Sequence, residues 1–127
     1  MSTHVRCLLP EHPIVEMVTY GHFSVADAWA AVDAGAVLCL EHDVWNALSE
    51  MSGTTHTPPA SDVVRFAEEM SQRGLPRRYR QAIVRPTDTI AATWIDLYAT
   101  AAANRGLLVR VFRDRDEAIA WLTAPAD

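Results

Sequence analysis

The clearest pattern of apolar and polar positions covers the last third of the chain and predicts strand, helix, strand and a short closing helix. An apolar run at residues 81–84 stops at Pro86, because proline cannot donate to a sheet ladder. A helical pattern follows over residues 87–105 and ends at Gly106, and residues 107–112 form a second apolar run. Parallel strands joined in this way need a right-handed crossover helix on the face of the sheet.

The first half of the chain predicts a hairpin, a helix and a buried strand. Residues 4–9 and 14–20 are rich in strand formers, and the turn between them carries two prolines. Ser24 is a good N-cap for the helix that follows, and Gly35 occupies the usual position of a left-handed C-cap. The continuous apolar run at residues 36–40 then predicts a central strand covered on both faces.

Residues 41–60 have the least clear pattern, with a helical turn or two at residues 44–48 and a loop at residues 52–59. Ser61 is predicted to cap the next helix, which ends at Gly74. The predicted order of elements is β-β-α-β-α-β-α-β-α. This order indicates an α/β fold, a mixed and mostly parallel sheet of about five strands with about four helices.

Composition and charge exclude several classes of protein. A chain of 127 residues forms one domain, residues 1–127, with one core. Its net charge of −5 argues against nucleic acid as a partner, since phosphate binding needs a concentrated basic surface. No apolar run approaches the roughly 20 residues of a transmembrane segment. The N-terminus lacks the features of a signal peptide, so we expect a cytoplasmic protein. Cys7 and Cys39 are expected to be buried thiols.

The sequence carries no signature of a cofactor or a metal site. The five histidines are scattered without the spacing of metal ligands. No glycine-rich segment matches a phosphate-binding motif. We therefore expect neither a cofactor nor a metal.

Polar side chains that follow predicted strands form the strongest candidate site. They are His42 and Asp43 after one strand, Arg85, Thr87 and Asp88 after the next, and Arg113 and Asp114 after the last. Ligands of parallel α/β sheets bind beyond the carboxyl ends of the strands, and this set suits anion binding or acid–base chemistry. The alternative is that Asp88 and Asp114 cap helices and that the arginines pair with them.

Two further features are candidates for binding. Trp45, near the predicted loop, is the tryptophan expected to line a pocket or an interface. The basic cluster at residues 77–80 suits contact with phosphate or an acidic partner, or else is a solvated start of a strand.

The closing segment VFRDRDEAIAWL, residues 111–122, resembles the ending of SpoIIAA-like proteins, which share the STAS-like fold of bacterial anti-sigma factor antagonists. Residues 80–84 resemble the strand that precedes this ending, and Gly21 before a capped helix resembles a further step of the family. The specific similarity covers about 40 residues at the C-terminal end. The resemblance implies a small bacterial regulatory protein that binds a protein partner or a lipid-like ligand and does not catalyse a reaction.

The resemblance also implies where a phosphorylation switch would lie. In anti-sigma factor antagonists, a Ser or Thr at a helix N-terminus after the third strand is phosphorylated. Residues 41–46 contain no hydroxyl side chain and so depart from that pattern. Ser61 is the nearest substitute and therefore the candidate for phosphorylation.

The long predicted helix carries small residues, Ala92, Ala99 and Ala103, beside its apolar face. This flank allows close approach either by a helix of the same chain or by a second copy in a homodimer. Two hypotheses of function stay open. The first is a STAS-like regulatory or interaction protein, and the alternative is a small-molecule-binding protein or small enzyme that uses the polar strand-end site.

Overall fold

The computed structural model describes residues 3–125 and confirms the predicted order of elements. The strands and helices, in chain order, are β1 Thr3–Cys7, β2 Val15–His22, α1 Val25–His42, β3 Asn46–His56, α2 Ala60–Ser71, β4 Arg80–Val84, α3 Thr89–Ala103, β5 Leu108–Phe112 and α4 Arg115–Thr123. None of the helices in this described part of the chain is both long and apolar enough to cross a membrane.

The five strands form one mixed sheet in the order β1-β2-β3-β4-β5. The N-terminal hairpin β1–β2 is antiparallel, and β2, β3, β4 and β5 are parallel to their neighbours. Crossovers of one hand between strands that follow each other in order leave the connecting helices on the same face of the sheet. The predicted α/β class and the mixed, mostly parallel sheet are therefore confirmed.

Side chains of β4 alternate between two apolar layers, which identifies the face that each helix covers. Ile83 packs in one cluster with residues of α1, α2 and α3. Ala82 and Val84 point the other way and pack with Ala118 and Leu122 of α4. The sheet thus carries three helices on one face and one on the other.

The strand predicted at residues 36–40 is wrong, because these residues continue α1. The helix runs through Gly35, which costs only about 1 kcal/mol inside a helix. Alanine and leucine are strong helix formers, and a short apolar run cannot be assigned by periodicity alone. Val37 and Leu40 are 62% and 71% exposed, so the run is not covered on both faces. α1 ends at Asp43, whose φ of 52° is left-handed.

The helical turn predicted at residues 44–48 and the loop predicted at residues 52–59 are also wrong over most of their length. Both lie mainly in β3, the central strand of the sheet. The pattern is obscured because β3 buries polar residues, among them Ser49 and Thr54. The hydroxyl of Thr54 donates to the backbone oxygen of Thr19 at 3.4 Å.

Helix caps are partly as predicted. Ser24 caps α1 and forms a complete capping box with Asp27. Asp88 and Asp114 cap α3 and α4, accepting from backbone N–H groups. Ser61 is not a cap, because α2 begins at Ala60 after Pro59 and no side chain caps it.

Candidate functional site

The structure divides the predicted strand-end site between opposite edges of the sheet. His42 and Asp43 lie at the end of α1, just before β3 begins, and therefore at the amino ends of the parallel strands. Arg85, Thr87 and Asp88 follow β4 and lie at the carboxyl ends. The prediction that all five residues lie at one edge is wrong. It assumed a strand at residues 36–40, and because these residues belong to α1, His42 and Asp43 follow a helix.

The side chains at the carboxyl edge are engaged within the protein. Arg85 forms two hydrogen bonds to the Asp96 carboxylate, at 3.2 and 2.6 Å, and this partner raises the pKa of the guanidinium. The hydroxyl of Thr87 donates to the Ser52 backbone oxygen at 3.2 Å. Asp88 accepts from the Ala91 N–H at 2.9 Å. These contacts tie β4, β3 and α3 together.

At the amino edge, the structure brings Asp43 and Trp45 together with the basic cluster at residues 77–80. Trp45 Nε1 donates to Asp43 Oδ1 at 3.1 Å, and Arg78 forms an ion pair with the same carboxylate. Arg80 donates to three backbone oxygens at the end of α4, at 2.9 to 3.1 Å. The cluster therefore serves largely to join α1 and α4 to the start of β4.

Arg113 and Asp114 follow β5 and Ser61 follows β3, so these predicted residues also lie after the carboxyl ends of parallel strands. Ser61 is exposed in the first turn of α2. His22 and His56 lie opposite each other at the ends of β2 and β3, with their ring centroids 5.9 Å apart. Their pairing follows from strand register, which the histidine spacing in the sequence does not reveal.

A largely apolar cavity of about 360 Å³ lies between α1, α2 and the sheet. Its volume is at the lower end of the roughly 300–1,000 Å³ of small-molecule sites. Trp45 lines it, as expected for a pocket residue. Its apolar lining is contributed by every layer of this face and includes Val15, Met17, Phe23, Ala28, Val32, Met51, Val63, Phe66, Met70, Ile83 and Ile95.

Three polar side chains in contact with one another also line this cavity, and we call them the polar triad: Ser49, Gln81 and Tyr98. The hydroxyl of Tyr98 donates to Gln81 Oε1 at 3.0 Å, and Gln81 Nε2 donates to Ser49 Oγ at 3.0 Å. Ser49 and Tyr98 are each 5% exposed. The polar triad is thus a connected hydrogen-bonding group within a largely apolar lining.

The tyrosine and cysteine side chains that line the cavity, Tyr79, Tyr98 and Cys39, are uncharged at neutral pH. Burial raises the pKa of the Tyr98 hydroxyl well above its ordinary value. Burial, with smaller effects of Tyr98 and Cys39, does the same for Tyr79, which also lines the cavity. Burial, aided by Cys7, likewise raises the pKa of the Cys39 thiol. Both cysteines are free thiols; Cys39 is buried, as expected, whereas Cys7 is only half-buried.

Contacts between side chains at the rim of the cavity join α1 to α2. Arg73, which follows α2 and lines the cavity, forms a 3.2 Å ion pair with Asp33 of α1. Its guanidinium also lies 5.3 Å from the ring centroid of Trp29. Trp29 in turn packs against Phe66 of α2, with ring centroids 4.6 Å apart. These contacts bridge the two helices.

Sequence reasoning missed the polar triad. Ser49 lies in the stretch with the least clear pattern, Gln81 lies in the predicted strand at residues 81–84, and Tyr98 lies in the predicted helix at residues 87–105. A signal was present in Gln81, which is a polar residue within an otherwise apolar strand. Its partners become visible only in the fold. The pairing of β3 with β4 places Ala47 opposite Gln81 and so brings Ser49 within reach, and α3 brings Tyr98.

Comparison with known proteins leaves the family open. No protein-family model, curated protein or solved structure matches the chain, so the resemblance to SpoIIAA-like proteins stays a prediction.

Proposed function

We propose that the protein is a non-enzymatic, STAS-like regulatory domain that acts by binding a lipid-like apolar molecule. The observation that carries the proposal is the apolar cavity of about 360 Å³ between α1, α2 and the sheet. The resemblance of residues 111–122 to SpoIIAA-like proteins supports the regulatory part of the proposal.

The size of the cavity supports a ligand, because protein interiors are close-packed and contain few voids larger than a water molecule. The pocket is partly open to solvent, and its walls are apolar side chains that packing within the chain leaves uncovered. The layout of the helices supports the same conclusion. α1 covers β1 and β2, whereas α2 packs on α3. Arg73 and Trp29 bridge α1 and α2 above the central strand, and the cavity lies beneath this bridge.

Other parts of the hypothesis stay predictions. A protein partner, a homodimer through the alanine flank of α3 and a cytoplasmic location have no specific observation in their favour. The alternative of a polar strand-end site loses support, because its residues lie at opposite edges and those at the carboxyl edge are engaged in internal hydrogen bonds.

Binding is tested with a neutral fluorescent probe, N-phenyl-1-naphthylamine, titrated into the purified protein. We expect saturable binding with increased probe fluorescence. Ala28→Leu places a larger side chain into the cavity, since Ala28 is buried and lines it. This substitution should weaken probe binding at least tenfold. Ala30→Leu, at an exposed position of the same helix, is the matched control and should leave binding unchanged.

The same variant separates loss of the cavity from loss of the fold. Overpacking a filled core costs about 1–3 kcal/mol, whereas a leucine that enters an existing void adds apolar burial. We therefore expect Ala28→Leu to keep or raise the melting temperature. Absence of probe binding to the folded protein, or equal binding to both variants, would overturn the proposal.

A further inference from the structure

The polar triad has more hydrogen-bond donors than its own contacts use. Tyr98 and Ser49 each supply one O–H, and the Gln81 amide supplies two N–H groups. The two bonds of the triad, Tyr98 to Gln81 and Gln81 to Ser49, use one donor each. Within residues 3–125, no acceptor is found for the Ser49 hydroxyl hydrogen or for the second amide hydrogen of Gln81.

This surplus does not depend on the orientation of the amide. If the oxygen and nitrogen of Gln81 are exchanged, Ser49 donates to the oxygen and the nitrogen donates to Tyr98. The free hydroxyl hydrogen then belongs to Tyr98, and one amide hydrogen is still free. A fully buried donor without an acceptor costs about 1–3 kcal/mol. The hydroxyl residues Ser49 and Tyr98 are each 5% exposed and Gln81 is half-buried, so in both arrangements the surplus hydroxyl hydrogen favours a ligand that supplies an acceptor oxygen.

We infer that the cavity selects a neutral, largely apolar molecule that carries a carbonyl oxygen, which accepts hydrogen bonds from the polar triad. This inference rests on the proposed function and names the chemistry of its ligand. A ketone, an ester or an amide supplies such an oxygen, and the surrounding apolar walls take the rest of the molecule.

The charges around the cavity distinguish a neutral carbonyl from a carboxylate. Among the described residues that line the cavity, Arg73 is the one with a permanent positive charge, and it lies at the rim, paired with Asp33. Burial of an unpaired carboxylate is much more costly than burial of a neutral carbonyl that accepts hydrogen bonds. The protonated hydroxyl of Tyr98 supports the same preference, since it keeps the triad a neutral donor group.

The test uses three compounds of similar shape that displace N-phenyl-1-naphthylamine: benzophenone, diphenylmethane and diphenylacetate. Benzophenone carries the carbonyl, diphenylmethane lacks it and diphenylacetate is an anion at pH 7.5. We expect benzophenone to bind at least tenfold more tightly than diphenylmethane. Ser49→Ala and Gln81→Met should each bring the two neutral compounds within about threefold of each other. The control Thr93→Ala, on the exposed face of α3, should keep the preference.

The infrared C=O stretch of bound benzophenone gives a second measurement that does not depend on affinity. It should shift to lower frequency in the natural protein and return towards its value in hydrocarbon solvent in Ser49→Ala. Equal affinity for benzophenone and diphenylmethane, or tightest binding of diphenylacetate, overturns this inference alone. If none of the compounds and no probe binds, the proposed function fails, and this inference fails with it.

Discussion

Arg115, in the first turn of α4, forms an ion pair with Glu16 of β2, whose side chain is 0% exposed. The same guanidinium lies 3.3 Å from a carboxylate oxygen of Glu50 on β3. Arg6 of β1 approaches Glu16 from the other side at 2.7 Å. The hydrogen bonds and charges of the two glutamates outweigh burial and raise the pKa of Arg115. This network joins α4 to three strands across the face opposite the cavity.

Removing the charge of Glu16 should destabilise the fold because Arg115 and Arg6 lose a buried partner. Breaking a buried ion pair costs about 3–5 kcal/mol, and Arg115 keeps Glu50, so we expect Glu16→Gln to lose about 3 kcal/mol. Urea unfolding followed by tryptophan fluorescence measures this loss.

Arg6→Gln is the matched control for the same network. The side chain of Arg6 is 59% exposed, and exposed ion pairs contribute at most about 1 kcal/mol. A loss below about 1 kcal/mol for Glu16→Gln, or equal losses in both variants, would mean that burial does not set the strength of this network.

The C-terminal half of the fold could be predicted from the sequence because its signals are local. Pro86 and Gly106 bound apolar runs, and Asp88 and Asp114 cap helices within their own segments. These residues need no distant partner to specify their conformation. The same segment therefore gave β4, α3, β5 and α4 in the right order.

The central strand and the cavity could not be predicted because their polar residues contact partners that are distant in the sequence. Ser49 accepts from Gln81, and Glu50 pairs with Arg115. In the sequence these residues lie in the stretch with the least clear pattern, residues 41–60, and only the contacts with β4 and α4 place them in the interior. The strand predicted at residues 36–40 is wrong for the converse reason. A continuous apolar run suggests burial on both faces, but here it lies in a helix that exposes Val37 and Leu40 to solvent.

The end of α1 offers a test of backbone strain. Asp43 has left-handed φ and ψ of 52° and 47°, a conformation that costs most L-residues about 1–2 kcal/mol. Asp43→Ala and Asp43→Gly both remove the carboxylate that Trp45 and Arg78 contact. We expect the alanine variant to be less stable than the glycine variant by about 1 kcal/mol in urea unfolding.

In the control pair, at a helical position, the difference in stability between the alanine and glycine variants should have the opposite sign. Glu41 is exposed within α1, so Glu41→Ala should be more stable than Glu41→Gly by about 1 kcal/mol. If alanine were also the more stable replacement at Asp43, the left-handed C-cap would not be the conformation in solution.

The two tyrosines that line the cavity, Tyr79 and Tyr98, predict a loss of stability at alkaline pH. The pKa of Tyr98 is raised by burial above its ordinary value of 10.0, and that of Tyr79 is raised as well. Below pH 10 both groups are neutral in the folded and the unfolded chain. Above it, the unfolded chain loses protons that the folded protein keeps, so the free energy of unfolding falls as the pH rises. Each tyrosine contributes at most about 1.4 kcal/mol per pH unit to this slope.

Urea unfolding at pH 9.5, 10, 10.5 and 11 measures the slope directly. The buried thiol of Cys39 adds to this slope from a lower pH, since the ordinary pKa of a cysteine thiol is 9.0. Comparison of variants removes this contribution, because Tyr98→Phe keeps Cys39 and loses one titrating group. We expect Tyr98→Phe to flatten the slope and Tyr79→Phe/Tyr98→Phe to flatten it further, although loss of the hydrogen bond to Gln81 lowers stability at neutral pH by about 1 kcal/mol. An unchanged slope in the double variant would mean that both hydroxyls reach solvent and that the cavity is open around them.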